Sequence, residues 1–490
     1  MRRIQYIPIR GIFSTKQAGG YGLLQNTVNM FKASIYQERR KRLQASVPGG
    51  LILLPGNNES PMNCADNVYR FRQDSSFLYY FGINQPGVAG VLDADSGEAL
   101  LFAPEMTVEH VVWMGPQPGL SDLKTLSGTE QALPVEQLEE LLKKARADGR
   151  TIHFLPPYRA DRSLQLSRWL STPVEALQPS EALIKAIVAQ RSVKSAEEIA
   201  EIESALAITR QMHIQATKTA QPGMKEAQLA GMVEGIALAT EGALAYPAIL
   251  TVNGQTLHNH YHGNIMKEGD LVLCDFGAAA PRTDYASDIT RTFPVSSTFT
   301  DRQKAIYQIV LDAEEQAIQA IKPGVPYKDI HLLAAKIITT GLTQLGLMKG
   351  DADTAVEAGA HALFFPHGLG HMMGLDVHDM EDLGEDYIGY TDDLKRSPQF
   401  GLKSLRLARA LQPGFVLTVE PGIYFIPELI AQWKAEGQHA EFINYDKVEA
   451  YLDFGGIRIE DNVLVTEEGY RVLGPPIPKT VEEIEALRKG

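Results

Sequence analysis

A chain of 490 residues is long enough for two or three domains with ample surface to bury. Hydrophobic residues at 44% and charged residues at 22% fit a globular protein and exclude a disordered or fibrous one. A formal net charge of −14 argues against a nucleic-acid or anionic-membrane partner, and no apolar run approaches the length of a membrane span.

The first 29 residues carry Arg2, Arg3, Arg10 and Lys16 and no acidic residue, with Gly19-Gly20 as punctuation. They read as a disordered extension upstream of Met30; a transit peptide has a similar composition, but no continuous apolar stretch supports a secretory signal. From Met30 onward, a basic helix is expected over Tyr36 to Leu43. Short strands are expected over Leu51 to Leu54, Phe77 to Phe81, Val88 to Leu92 and Leu100 to Phe102. The alternation predicts an α/β N-terminal domain over residues 30–185. The break falls near residues 180–194, where no Gly/Ser-rich linker occurs, so the following domain, residues 186–490, is expected to pack closely against the first. Ser195-Ala196-Glu197-Glu198 predicts a capping box that opens a helix to about Thr219.

The remaining sequence contains an internal echo. Gln221-Pro222-Gly223 and Lys322-Pro323-Gly324 each follow a helical stretch and precede another. Later come two apolar strands, Gly269 to Asp275 and Gly414 to Glu420, in which the acid falls six residues after the glycine. Two half-domains related by an approximate two-fold axis would bring Asp275 and Glu420 to equivalent, facing places. Only two cysteines occur, Cys64 and Cys274, too few and too far apart for a disulfide framework, and a reducing cytoplasm is expected.

Five residues carry the chemistry: Asp275, Asp288, His371, Glu420 and Glu460. Asp275 ends an apolar strand beside Gly277, where an uncompensated buried carboxylate is costly, although a turn-capping aspartate would look alike. Asp288 precedes a β-branched stretch, and separately the two aspartates mean little. His367-Gly368-Leu369-Gly370-His371 is sharper, because two interior glycines argue against a zinc-binding helix and for backbone passing close to a site. Seven of the twelve histidines fall within residues 258–262 and 361–378. Glu420-Pro421-Gly422 and Gly455-Gly456-Ile457-Arg458-Ile459-Glu460 each set a glutamate on an apolar strand beside a structure breaker. Arg458 and Glu460 share a strand face, so Arg458 is placed to orient acidic ligands. Four carboxylates and one imidazole form a hard, oxygen-rich donor set that suits two divalent cations, Mn²⁺ above all. Such a pair can hold a bridging hydroxide and polarise a carbonyl, which indicates a hydrolase.

With these motifs in hand, the chain resembles the proline-specific metallopeptidases of the pita-bread fold, aminopeptidase P and prolidase, from about Met30 to the C-terminus. Tyr69 to Phe77 resembles that family's first domain, and His367 to Asp379 its signature, with Met373 where a branched aliphatic is usual. The resemblance implies a creatinase-like α/β domain followed by an α+β pita-bread catalytic domain. It implies that Asp288 and Glu460 bridge two metal ions, that Asp275 completes one, and that His371 and Glu420 complete the other. By the same resemblance His258, His367 and His378 meet the substrate, with His260 and His262 competing for the place of His258, and Tyr424 and Arg458 support the ligands. The loop Ala278 to Thr283 is about two residues longer than the family norm, which leaves its hairpin geometry open.

The implied activity is hydrolysis of an Xaa-Pro bond at the N-terminus of a peptide, with Glu420 moving the proton and His258 and His378 donating to the oxyanion. Aminopeptidase P is favoured and prolidase is the alternative, because the insert between Glu420 and Glu460 looks more prolidase-like. A non-catalytic pita-bread binding protein or a metal-free creatinase-like enzyme is disfavoured because all five ligands are present. The expected partners are proline-containing peptides, and the resemblance implies a homo-oligomer.

Overall fold

The computed structural model describes residues 31–489. The extension expected over residues 1–29 lies outside the described residues. The first domain is built on a five-stranded mixed sheet in the order Gln131–Pro134, Ala99–Ala103, Ala89–Asp93, Leu51–Pro55 and Ile152–His153. Leu51–Pro55 runs antiparallel to Ala89–Asp93, with Leu51 opposite Asp93, and parallel to Ile152–His153. Its side chains alternate between two cores. Ile52 and Leu54 pack with Tyr36 and Leu43, whereas Leu51 and Leu53 pack with Leu138, Leu142 and Trp169. A strand covered on both faces reads as a continuous apolar run, which is how Leu51 to Leu54 appears in sequence.

One expected strand is a helix. Ser75–Phe81 is α-helical, opened by Asp74, whose carboxylate accepts from the Phe77 N–H at 2.8 Å, and closed by Gly82 at φ 67°. Ser76 to Phe81 are all buried, so the segment shows no polar face and no helical period, and the aromatic run imitates a strand. The Asp cap and the terminal glycine were the signals that decide it.

A helix from Glu181 to Ser192 connects the two domains, capped by Ser180. The expected capping box follows: the Ser195 N–H donates to Glu198 at 3.0 Å and the Glu198 N–H to Ser195 Oγ at 3.4 Å, opening the helix Ala196–Thr219. The internal echo is a structural duplication. Helices Ala196–Thr219 and Glu226–Ala239 form one pair, Asp301–Gln319 and Tyr327–Gln344 the other. Each pair is joined through a glycine in the left-handed region, Gly223 at φ 86° and Gly324 at φ 84°. Their N–H groups donate to Met266 and Leu411 carbonyls, both at 2.8 Å. A second matched pair, Gly269 at φ 88° and Gly414 at φ 87°, leads into strands Leu271–Asp275 and Val416–Val419.

The first of these strands lies between Ile249–Thr251 and Thr290–Pro294, all antiparallel. The second pairs with Asp461–Val465, which in turn pairs with Tyr470–Val472. Asp275 stands opposite Thr290, and one step beyond the Val419–Asp461 pair Glu420 stands opposite Glu460. A bridge between Thr290 and Glu460 joins the two sheets. The candidate ligands therefore sit at the seam of the duplication.

Candidate metal centre

Asp275 is the last residue of an apolar strand, and Asp288 lies just before the neighbouring strand, on the far side of the hairpin between them. The hairpin closes tightly because Gly277 runs against Ser287, where a Cβ would fall 1.8 Å from the Ser287 carbonyl oxygen. At the tip of this loop Arg282 and Asp284 adopt φ 69° and 59° and Thr283 donates to Glu201. The carboxylates at its base are held together. Tyr246 donates to Asp275 Oδ1 at 2.7 Å and also bonds Asp288 Oδ1. Asn462 fixes the backbone of Asp288 from both sides, accepting from its N–H at 3.0 Å and donating to its carbonyl at 2.6 Å.

His371 closes the arrangement. Its Nδ1 lies 3.0 Å from the Met372 carbonyl, which can only accept, so Nδ1 carries the proton. Nε2 then faces Asp288 Oδ2 at 3.4 Å and Glu420 Oε1 at 3.7 Å, and in the neutral ring it presents its lone pair to them. Acceptors facing one another at these distances require a shared cation, either a proton or a metal. One ligand atom each from Asp288, His371 and Glu460 lies within 4.8 Å of the others. Glu460 Oε2 accepts from Thr290 Oγ1 at 2.6 Å, whereas its buried Oε1 has no hydrogen-bond partner. An orphaned buried carboxylate oxygen and an inward lone pair in one cluster fit a divalent cation site.

The electrostatics show the same demand. Burial, with Asp288 and Glu420 beside it, pushes Glu460 well above the usual carboxylate range. Burial also raises Asp275 despite Arg458, and it pushes Glu420 up to about 7. His371 rises to about 9, because Asp288 and Glu420 outweigh the opposing effect of burial. The same ring holds Asp288 below its ordinary value against burial.

Arg458 does not bond Glu460 directly. It pairs with Asp275, donates through Nε to Thr290 Oγ1 at 3.2 Å and through Nη1 to Tyr424 at 2.9 Å. The chain continues from Tyr424 to His367 Nε2 at 2.8 Å, and His367 Nδ1 meets the Gly368 carbonyl at 2.8 Å. The wall opposite is His378, whose ring centre is 4.0 Å from that of His371 and whose Nδ1 lies 3.1 Å from Glu381. His258 and His260 both line the cavity, while His262 is turned to the Ala248 carbonyl at 3.2 Å.

These groups enclose a cavity of about 470 Å³, enough for a short peptide. Three groups, Tyr246 and Arg406 on the cavity wall and Thr290 behind Glu460, carry no clear mark in the sequence. Tyr246 sits in an unremarkable Ala-Tyr-Pro, Thr290 looks like any β-branched strand residue, and Arg406 lies in a basic stretch 14 residues before Glu420. Only the last carried a signal, a charge next to apolar sequence.

Comparison with known proteins covers most of the chain. The aminopeptidase P N-terminal domain matches residues 36–153 and metallopeptidase family M24 matches residues 200–467. Human Xaa-Pro dipeptidase is 33% identical over 463 residues, covering 92% of this chain and 91% of that protein. A probable Xaa-Pro aminopeptidase of Phaeosphaeria nodorum is 34% identical over 445 residues, 90% of this chain and 92% of the relative. Among solved structures, Pseudomonas aeruginosa aminopeptidase PepP superposes with a TM-score of 0.77 at 31% identity, covering 94% of this chain and 98% of that one. The zinc-substituted product complex of Escherichia coli aminopeptidase P gives the same TM-score, 0.77, at 30% identity, with coverage of 94% and 98%.

Proposed function

This chain belongs to metallopeptidase family M24, with an aminopeptidase P N-terminal domain ahead of a pita-bread catalytic domain, and from that premise we propose how its centre works. The protein is a metal-dependent exopeptidase acting on Xaa-Pro bonds, as an Xaa-Pro aminopeptidase. The observation that carries the metal reading is the turn of the His371 lone pair toward carboxylates in a cluster with Glu460.

Asp275, Asp288, His371, Glu420 and Glu460 would hold two divalent ions. Bound there, such ions would polarise the scissile carbonyl and lower the pKa of water. We take Mn²⁺ as the ion that best suits four carboxylates and one imidazole. Glu420 would take a proton from the attacking water and return it to the proline nitrogen. That nitrogen must be protonated to leave, and an Xaa-Pro amide offers no N–H for a peptidase to grip. His378 faces the cavity with the Glu381 carboxylate against its Nδ1; burial and the neighbouring His371 lower its pKa while Glu381 opposes them, and its imidazolium form would donate Nε2–H to a developing oxyanion. Each such donor contributes about 3 kcal/mol, and His258 would supply a second from across the cavity. His367, neutral and driven down to about 3 by burial and Arg458, holds the wall through Tyr424.

We place the division between domains at residues 185 and 186, inside the connecting helix. A cytoplasmic location agrees with two free cysteines. Among the described residues no helix is long and apolar enough to cross a membrane. A homo-oligomer agrees with the helix Val108–Met114, which exposes Val108 at 82%, Val112 at 72% and Trp113 at 78%.

A second reading, Xaa-Pro dipeptidase, is favoured by Arg406. Besides Arg458 it is the one guanidinium among the described residues lining the cavity, partly exposed and held by Glu381 and Glu385. A dipeptide ends in a carboxylate that such a cation would bind. The deciding experiment compares Gly-Pro with Gly-Pro-Xaa peptides on protein stripped of metal and reloaded with Mn²⁺ or Zn²⁺. Aminopeptidase action requires turnover of the longer peptides; turnover of Gly-Pro alone establishes the dipeptidase. Glu420→Gln should abolish turnover, and a near-normal kcat in that variant rules out its proton role.

A further inference from the structure

A buried polar network ties the first domain to the segment that presents His378. Residues 372–379 fold back on themselves. The Asp379 N–H donates to the Met372 carbonyl and the Gly374 N–H to the Asp376 carbonyl, each at 3.0 Å. The Asp376 N–H reaches Asp379 Oδ1 at 3.3 Å. Val377 and His378, between the two aspartates, line the cavity.

The flanking aspartates are held by groups outside the catalytic sheets. Asp376 accepts from Ser75 Oγ at 2.6 Å, and Arg72 Nη2 donates to the Leu375 carbonyl at 2.9 Å. The Asp379 carboxylate, 1% exposed, takes Arg191 Nη2 at 2.7 Å and Lys194 Nζ at 2.8 Å. Arg191 completes the link by donating to Asp376 at 3.2 Å and to Ser76 Oγ at 3.0 Å. Gly374 makes room for this packing, since a Cβ there would lie 2.6 Å from Asp379 Oδ2 and 2.8 Å from Lys194 Cε.

Two cations on one buried carboxylate are weak evidence of stabilisation, because desolvation offsets most of the attraction. They do restrict the segment to one geometry, with every carboxylate oxygen directed to a fixed donor. Displacing a group at a reacting centre by about 1 Å can cost 10²-fold in rate, so such a restriction acts on catalysis directly. Ser75 and Ser76 open the helix Ser75–Phe81 and Arg72 lies just before it; the helix is tied to the first domain by Phe77, Leu78 and Phe81, which pack in one core with Tyr36, Ile52 and Leu54.

We propose that Ser75 of the N-terminal domain, with Arg191 and Lys194 just past the domain boundary, are positioning residues that set the place of the His378 imidazole by way of Asp376 and Asp379. The inference rests on the reading that His378 acts on the substrate. Removing Arg191 would strand a buried carboxylate and threaten folding, so the test uses Ser75→Ala and Asp376→Asn, where Asp376 is 33% exposed at its side chain. Each is measured in the metal-loaded full chain, alone and combined with His378→Ala, for kcat and KM on an Xaa-Pro peptide. Metal content and thermal midpoint are followed in parallel.

The expected result is a kcat loss of about 10- to 100-fold in Asp376→Asn, with KM and metal content nearly unchanged. In the His378→Ala background the same substitution should cost nothing further. An unchanged kcat in both single variants overturns the proposal. Losses that multiply in a slow His378→Ala enzyme overturn the positioning alone, since Asp376 would then act elsewhere. A wild-type kcat in His378→Ala overturns the role of His378 itself, and the proposal with it.

Discussion

Thr290 and Glu460 occupy matching places in the two duplicated halves and touch across the seam, the Thr290 hydroxyl donating to Glu460 Oε2 at 2.6 Å. The next residues along repeat the relationship, Arg291 pairing with Asp461 at 2.7 Å. Thr290 Oγ1 in turn accepts from Arg458, so one hydroxyl sets the rotamer of Glu460 and leaves Oε1 free for a cation. Thr290→Val keeps the shape and removes the donor. It should weaken metal binding by about 10- to 100-fold with a small change in thermal midpoint. Titration against a metal buffer checks this, and Thr290→Ser should restore affinity.

Stripping the metal should destabilise the protein increasingly as pH rises. In the ion-free centre Glu420 at about 7 lies above its unfolded value, and so does His371 at about 9. Both groups bind more protons folded than unfolded, so their contribution is lost as pH climbs through these values. Calorimetry with and without chelator should therefore show the gap widening from pH 6 to pH 9 (about 2.7 kcal/mol is gained at ion concentrations a hundredfold above Kd).

Below neutrality the slope reverses. His213, His331 and His361 are buried and held neutral, driven down by burial to about 3, 3 and 4 respectively. Their unfolded forms gain a proton as pH drops below the normal histidine value while the folded forms do not, so stability is lost from about pH 6.5 downward, at about 1.4 kcal/mol per pH unit for each ring. Neither ring nitrogen of His331 has a hydrogen-bond partner. His331→Leu should flatten the acid limb by one such increment, read from denaturant melts at several pH values.

Two glycine substitutions should move stability in opposite directions. A Cβ at Gly370 would fall 2.0 Å from the Thr418 carbonyl oxygen, which also accepts from Tyr327 at 2.6 Å. Gly370→Ala should cost about 1–3 kcal/mol and displace His371, lowering metal content as well. Gly231 lies exposed in the helix Glu226–Ala239 with nothing near its Cβ position, so Gly231→Ala should stabilise by about 0.4–1 kcal/mol. Denaturation midpoints check both.

What could be read in sequence was what local chemistry alone determines. Ser195 with Glu198 forms a capping box in any context, and the glycines at 223, 324, 269 and 414 mark turns that need positive φ. The echo of those glycines disclosed the duplication, and with it the convergence of Asp275 and Glu420. Burial on every side erased the helical period of Ser75–Phe81, so tertiary packing overrode the pattern there. Tyr246 and Thr290 were invisible for a different reason. Their importance lies wholly in where distant segments bring their hydroxyls, and neither residue type nor spacing records that.

The duplication is not symmetric in charge. Two steps before Thr290 stands Asp288, and two steps before its counterpart Glu460 stands Arg458, so a carboxylate in one half is answered by a guanidinium in the other. That cation pairs directly with Asp275 and reaches Glu420 only through its longer-range field, whereas the group in close contact with Glu420 is the His371 imidazole. A pair of ions would therefore meet unequal hosts, and loading should be stepwise, with the first equivalent seated beside His371 and the second displaced most readily.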